Sequence, residues 1–152
     1  MALTRSPLAP KGFPSLPPIA GLGFATAACG IKVQGRPDVC LMVLDPGSTV
    51  AGVLTRSKTA SAPVEWCRQQ LPHGRARAIV VNSGNANAFT GKTGETSVRR
   101  VVEAVAAGLG CRRQDVLAAS TGVIGQPLPT ENILDTVADL PRRVKAEGWA
   151  DA

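Results

Sequence analysis

The sequence predicts a mixed α/β domain, and two buried strands and one amphipathic helix carry this prediction. The unbroken apolar run at Val39–Leu44 is typical of a strand that is buried on both faces, and Ala76–Val81 predicts a second buried strand. Between Val98 and Leu109 the apolar residues recur at helical spacing and form one stripe. Because strand and helix alternate only in the second half of the chain, a mixed sheet is favoured over a regular doubly wound fold.

The remaining elements of the first half are predicted from small residues and turn residues. Phe24–Val33 consists largely of small and apolar residues and predicts a first strand. Asp45–Ser48 has Pro and Gly at the central positions of a type II turn. We therefore expect a hairpin in which Val39–Leu44 turns back into a second strand at Thr49–Thr55.

Helix signals divide the rest of the chain. A proline in the first turn favours a helix over Ala62–Leu71, which Pro72-His73-Gly74 would end. Val116–Ala119 predicts a short strand that runs into a turn. Thr130 follows two prolines and is a candidate N-cap for a helix that carries Ile133 and Val137.

Composition and charge exclude several classes of protein. The chain has 152 residues, of which 44% are hydrophobic and 18% charged, which indicates a folded domain and not a disordered tail. No apolar run reaches the length of a membrane span. The net charge of +6 is concentrated in the first half, but the basic residues are scattered and do not alternate with aromatic residues. This pattern argues against a nucleic-acid surface.

Cysteine and histidine usage argues against a metal site. The four cysteines lie far apart without a C-x-x-C pair, and His73 is the single histidine. Zinc would therefore lack a ligand set, and we expect no metal and no cofactor. Free, buried thiols in a reducing cytosol are the expected state, which places the protein in the cytoplasm. The cysteines are Cys29, Cys40, Cys67 and Cys111.

The N-terminus is rich in proline. We expect residues 1–16 to form an extended leader that lies over a domain at residues 17–152. Arg5, Lys11 and the lack of acidic residues leave a mitochondrial transit peptide as an alternative, although the prolines oppose an amphipathic helix.

Two strand-to-helix junctions are candidates for chemistry, and the first is the segment Gly84–Thr93. Gly91-Lys92-Thr93 invites comparison with a phosphate-binding loop, and a nucleotide-binding module is one hypothesis. However, six residues separate Gly84 from Gly91, where that motif requires four. The alternative is structural: the glycines and asparagines adopt positive φ while asparagine side chains cap backbone groups.

The second junction is Ala118–Gly125, where a strand runs into Ser120, Thr121 and Gly122. Small hydroxyl residues followed by glycine can present a hydroxyl and a backbone N–H to a developing oxyanion. Ser120 or Thr121 could instead be a nucleophile, but activation needs a base, and His73 is far away in sequence. From the residues alone, a structural turn, an oxyanion loop and a nucleophile all remain open.

Two long motifs carry a resemblance to a known family. RAIVVNSGNANAFTG at Arg77–Gly91 and STGVIGQPLP at Ser120–Pro129 resemble the N-terminal part of ornithine acetyltransferases, the bifunctional glutamate N-acetyltransferases of arginine biosynthesis. Shorter segments agree with the same family. They are AACGIK at Ala27–Lys32, AGVLT at Ala51–Thr55 and SAPVEWC at Ser61–Cys67.

The resemblance implies a fold and a reaction. The fold would be a mixed-sheet α/β sandwich of the kind shared with self-processing aminopeptidases. A precursor of this family cuts itself at an Ala–Thr bond into α and β chains, and the freed threonine is the nucleophile. It carries acetyl from N-acetylornithine to glutamate without a metal, and the chains assemble as α2β2. An oxyanion hole formed by the Thr121 hydroxyl and the Gly122 N–H is implied, and the substrate-binding residues remain unassigned.

The sequence also departs from the family. The family's α segment continues to the Ala–Thr cleavage site, whereas this sequence ends at Ala152, and Ala25-Thr26 lies in a predicted strand. We therefore expect an α-chain-like part that lacks the nucleophile, and that is inactive and poorly folded without its β chain. The alternatives are a fragment of a self-processing aminopeptidase, the nucleotide-binding module and a non-catalytic basic binding module.

Overall fold

The computed structural model describes residues 6–12 and 14–152, and within them a four-stranded sheet has the order β1-β2-β3-β4. Neighbouring strands are antiparallel from β1 to β3, whereas β3 and β4 are parallel. The parallel pair needs a long crossover, which a helix supplies. The strands are β1 Leu22–Ala27, β2 Val39–Leu44, β3 Ala78–Asn85 and β4 Val116–Val123.

The helices are α1 Ala62–Gln70, α2 Gly91–Leu109 and α3 Thr130–Val137. α2 connects β3 to β4, and α3 follows β4. Between and after these elements lie short 3-10 helices, at Leu71–His73, Arg113–Asp115, Leu140–Arg143 and Gly148–Ala150. The predicted mixed α/β class is therefore confirmed.

The core lies between α2, α3 and one face of the sheet. The apolar stripe expected on α2 is buried, and it packs together with alternate residues of the strands. Short β-branched residues dominate this contact, so the helices approach the sheet closely. The largest fully buried side chains in the core include Leu41, Val102, Val105, Val116 and Ile133.

Helix α1 covers the outer edge of β4. The Trp66 Nε1 donates to the Val116 carbonyl at 2.8 Å, and the Cys67 Sγ donates to the Ala118 carbonyl at 3.2 Å. Both carbonyls point away from β3, on the side where an edge strand has no neighbouring strand. The helix thus takes the place of a further strand along the first half of β4.

The hairpin expected after β2 is wrong, although its turn forms. The Ser48 N–H donates to the Asp45 carbonyl at 3.2 Å and Gly47 has φ 91°, as a type II turn requires. Beyond it only an isolated bridge joins Thr49 to Arg75, and Val53 is 98% exposed. The physical reason is that β1 and β3 already occupy both edges of β2.

Two further expectations need correction. The first strand ends at Ala27 and does not reach Val33, because the Asp38 carboxylate accepts the backbone N–H groups of Cys29 and Ile31, both at 2.7 Å. These bonds draw the chain out of the sheet. Thr130 is not the N-cap of α3: Pro129 occupies that position, and the Thr130 hydroxyl lies 2.8 Å from the Ser97 Oγ.

Most of the expected leader forms neither helix nor strand. Residues 14–19 are exposed coil that precedes β1, whereas residues 1–5 and 13, including Arg5 of the transit-peptide hypothesis, lie outside the described residues. In the part that is described, no helix has both the length and the apolar character needed to cross a membrane. The same part contains no cluster of three or more His, Cys, Asp or Glu side chains suited to a metal ion.

The two tryptophans give a test of the edge contact. We predict that Trp66→Phe lowers the free energy of unfolding by about 1–3 kcal/mol, because the buried Val116 carbonyl loses its donor. Trp149→Phe is the matched control, since the buried Trp149 Nε1 has no hydrogen-bond partner among the described residues. Thermal and denaturant unfolding would measure both variants, and equal losses would contradict the assigned role of Trp66.

Candidate active site

The two junctions that the sequence presents as separate candidates lie side by side. β3 and β4 are parallel, and their register pairs Asn82 with Ser120, Gly84 with Gly122, and Asn85 with Val123. The carboxyl ends of parallel strands meet at one edge of a sheet, which is where ligands bind in many α/β folds. The structure thus brings both motifs together at one place.

Both strands are longer than expected. β3 continues through Asn82-Ser83-Gly84-Asn85, and β4 continues through Ser120-Thr121-Gly122-Val123. The interpretation of Ser120–Val123 as a turn is therefore wrong. The last four residues of each strand are extended because they pair with the other strand across the parallel ladder, and not with residues close in sequence.

Thr121 and Gly122 are exposed on β4, the last strand of the sheet. Backbone groups alternate in direction along a strand, and the carbonyls of Val116 and Ala118 point away from β3 towards α1. Gly122 has the same parity as these residues, whereas Val123, of opposite parity, accepts from the Ala86 N–H on the β3 side at 2.9 Å. By this alternation we assign the Gly122 N–H to the open side of β4, beyond the part that α1 covers.

Position 122 requires glycine for two reasons. Its φ of 133° is a conformation that other residues rarely adopt, and a Cβ there would lie 2.3 Å from the Gly84 carbonyl carbon. Gly84 is similarly confined, because a Cβ on it would lie 3.0 Å from the Lys32 Cβ. The two glycines let the strand ends and the segment after β1 approach one another closely.

Three buried asparagines surround this strand end. The Ser120 hydroxyl donates to the Asn82 Oδ1 at 2.6 Å, and the Asn82 Nδ2 donates to the Asn85 carbonyl at 2.9 Å. Asn87 has φ 45°, and its Nδ2 donates to the Gly94 carbonyl at 3.0 Å. The expectation that asparagine side chains here cap backbone groups is confirmed, whereas the expected positive φ is found at Asn87 and not at Asn82 or Asn85.

The structure does not form a phosphate loop at Gly84–Thr93. Gly84 lies inside β3 and faces Ile31 and Lys32, so its N–H does not belong to a loop that could surround a phosphate. Lys92 lies in the first turn of α2 and lines an open groove of about 580 Å³ between α2 and α3. This arrangement does not favour the nucleotide-binding hypothesis.

The described residues near the strand end do not provide an activated nucleophile. The Ser120 hydroxyl donates to an amide oxygen, which cannot accept a proton as a base does. His73 lies in the short helix before β3, whereas Ser120 pairs with the far half of that strand. The nucleophile interpretation of Ser120 and Thr121 therefore receives no support from the geometry.

The cysteines are free, as expected, but they are half-buried and not fully enclosed. Burial is the largest influence on the Cys67 thiol and raises its pKa. Burial also raises the pKa of the other three thiols. A raised pKa keeps a thiol protonated near neutral pH, so these cysteines are poor nucleophiles.

The fold has solved counterparts among ornithine acetyltransferases. The ornithine complex of the Mycobacterium tuberculosis ornithine acetyltransferase has a TM-score of 0.80 and 39% identity, over 85% of this chain and 69% of that chain. The arginine biosynthesis bifunctional protein argJ from Bacillus halodurans has a TM-score of 0.74 and 30% identity, over 78% and 62% of the two chains. The architecture is therefore the ornithine acetyltransferase fold.

The sequence model of the ArgJ family matches residues 23–152, and the chain belongs to this family. Two relatives are each named "Arginine biosynthesis bifunctional protein ArgJ". The one from Mesorhizobium japonicum is 51% identical and the one from Agrobacterium fabrum 48% identical, over all of this chain. The chain spans 37% of the length of both relatives. The resemblance seen in the sequence is thus confirmed.

The sequence did not identify Asp38, or the distant partners of Asn82 and Asn85, as parts of this site. A usable signal was present, because Asn82 follows a strand that is buried on both faces, and a buried amide needs hydrogen-bond partners. Those partners lie far away in sequence, so the local pattern could not identify them.

Glycine substitutions test the close approach of the strand ends. We predict that Gly122→Ala costs about 3 kcal/mol or more in stability, since its Cβ would meet the Gly84 backbone, which cannot rotate away. Gly125→Ala is the matched control: it also has positive φ, but nothing lies within 4 Å of its Cβ position, so the cost is about 1–2 kcal/mol. Similar melting temperatures for the two variants would contradict the assigned packing.

Thiol reactivity tests the protonation of the cysteines. Because burial raises the pKa of Cys67, we predict that iodoacetamide alkylates it more slowly in the folded protein than in urea, at pH 8. The difference should narrow as the pH rises and the folded thiol ionises. Peptide mass spectrometry over a pH series would measure this, and faster reaction in the folded state would contradict the prediction.

Proposed function

We propose that this chain acts as the N-terminal, α-chain part of an ornithine acetyltransferase, which transfers acetyl from N-acetylornithine to glutamate. Membership of the ArgJ family supports the proposal, as does the likeness to an ornithine acetyltransferase structure that contains ornithine. In this proposal residues 17–152 form the α-chain domain and residues 1–16 a leader. The β chain is the partner, the assembly is α2β2, and the compartment is the cytoplasm.

The arrangement at the end of β4 is the observation that carries the proposal. Acyl transfer passes through tetrahedral intermediates whose oxygen becomes negatively charged, and donors fixed about 3 Å from that oxygen stabilise it. Strand alternation assigns the Gly122 N–H to the open side of the sheet, and the neighbouring Thr121 carries a hydroxyl on an exposed residue. We assign these two groups to the oxyanion hole.

The reaction would proceed in two balanced steps. The hydroxyl of the β chain's first threonine attacks the acetyl carbonyl of N-acetylornithine, with the threonine α-amine taking its proton. The C–N bond breaks, the proton passes to the leaving nitrogen, and ornithine departs from an acetyl-threonine ester. The glutamate amine then attacks this ester, and the threonine hydroxyl is restored. Thr121 and Gly122 stabilise the oxyanion in both steps, which involve neither a metal nor acetyl-CoA.

The described residues would supply donors but no nucleophile, so this chain alone is proposed to be inactive. The test is to produce it together with the part of the Mesorhizobium japonicum relative that lies outside the matched region. We predict acetyl transfer from N-acetylornithine to glutamate by the assembled protein and none by either part alone. A folded assembly without transfer would contradict the proposal, and acetate release without transfer would favour a self-processing hydrolase.

Thr121→Ala tests the oxyanion assignment. We predict that kcat of the assembled enzyme falls about 100-fold while KM changes little, because the donor acts on charge that develops only in the transition state. Thr96→Ala, at an exposed threonine on α2, is the control. A kcat within about twofold of the unsubstituted enzyme would remove Thr121 from the oxyanion hole.

A further inference from the structure

We propose that Asn85 is a positioning residue for the oxyanion hole, because its side chain holds the segment after β4 and so fixes the direction of the Gly122 N–H. This inference rests on the function proposed above. The Asn85 Nδ2 donates to the Gln126 carbonyl at 3.1 Å and to the Pro127 carbonyl at 3.2 Å, while its Oδ1 accepts the Asn87 N–H at 2.7 Å.

The burial of Asn85 makes these bonds hard to replace. Its side chain is only 4% exposed, so water cannot readily substitute for a lost partner. Nδ2 serves two carbonyls and Oδ1 serves one amide, which uses both ends of the carboxamide. A buried amide with its polar atoms engaged in this way holds its surroundings in one arrangement.

The segment after β4 needs such an anchor. Gly122 and Gly125 both have positive φ, and glycine leaves the backbone many accessible conformations. Ile124 is 62% exposed, and burial of apolar side chains resumes only at Leu128. The chain between Val123 and Leu128 is therefore held chiefly by polar contacts.

Gly122 lies between two asparagine contacts. Before it, the Ser120 hydroxyl is bonded to Asn82, and after it, Gln126 and Pro127 are bonded to Asn85. Two backbone bonds also hold this stretch, from the Ala86 N–H to the Val123 carbonyl and from the Gly125 N–H to the Ala88 carbonyl, both at 2.9 Å, and the Asn85 contacts hold the residues that follow. An oxyanion donor is effective when its direction is set before the charge develops, and Asn85 supplies this restraint.

The variant Asn85→Asp separates this role from general packing. Aspartate has nearly the same shape and keeps an acceptor for the Asn87 N–H, but it places an oxygen against the two carbonyls that Nδ2 serves. Asn132→Asp, at an exposed asparagine on α3, adds the same charge and is the control.

In the assembled enzyme we expect Asn85→Asp to lower kcat per active site at least 10-fold, with KM within about twofold. Combined with Thr121→Ala it should add less than about twofold, because both changes disable the same oxyanion hole. Multiplying effects, a change confined to KM, or a kcat equal to that of Asn132→Asp would overturn the inference.

Hydrogen exchange gives a readout that does not need activity. Peptides that cover residues 121–127 should exchange faster in Asn85→Asp, while α2 keeps its protection; unchanged exchange would overturn the inference even if the assembly transfers no acetyl. Absent transfer with faster exchange would count against the proposed function alone. If α2 also loses protection, Asn85→Ser replaces the variant, since its shorter side chain can reach Asn87 but not Gln126, and the same outcomes apply.

Discussion

The parallel contact between the ends of β3 and β4 is the constraint on which the rest of this structure depends. At its tip the Gly122 α-carbon faces the Gly84–Asn85 peptide so closely that no side chain fits between them. Parallel pairing brings the ends of two segments, nearly forty residues apart, to one edge of the sheet. It requires the crossover through α2, whose apolar stripe then builds the core. The candidate site is therefore a direct consequence of the topology.

The edge strand β4 uses its outer side in two different ways. Along its first half, side chains of α1 donate hydrogen bonds to the carbonyls of Val116 and Ala118. This part of the edge is therefore not available for pairing with another chain. Along its second half, Thr121 and Gly122 remain exposed. The backbone donors of an open strand edge already have a fixed direction, because the strand holds the backbone in place. In the proposed function, this open edge is what lets the end of β4 stabilise a developing charge.

Structural features that depend on local sequence pattern were predicted correctly, whereas features that depend on residues distant in sequence were not. The stripe on α2 needs only helical spacing, so Val98 and its neighbours were assigned correctly. The predicted hairpin is wrong even though the turn at Asp45–Ser48 forms, because β1 and β3 already occupy both edges of β2. Thr121 and Gly122 came from the resemblance to a family, since residue pattern alone left three interpretations open. The contacts of Asn85 with Gln126 could not be predicted, because both partners lie in segments that look like independent turns.

Asparagine contacts, and not apolar packing, hold the exposed segment after β4. An apolar anchor at position 124 would bury the loop against the sheet, whereas Ile124 is in fact 62% exposed. Instead, the buried Asn85 carboxamide donates hydrogen bonds to two backbone carbonyls of this segment, those of Gln126 and Pro127. Because these bonds are to backbone atoms, they do not depend on which side chains stand at residues 124–126. In the proposed function, these buried polar bonds position the segment, and the lack of apolar packing leaves it accessible to a substrate.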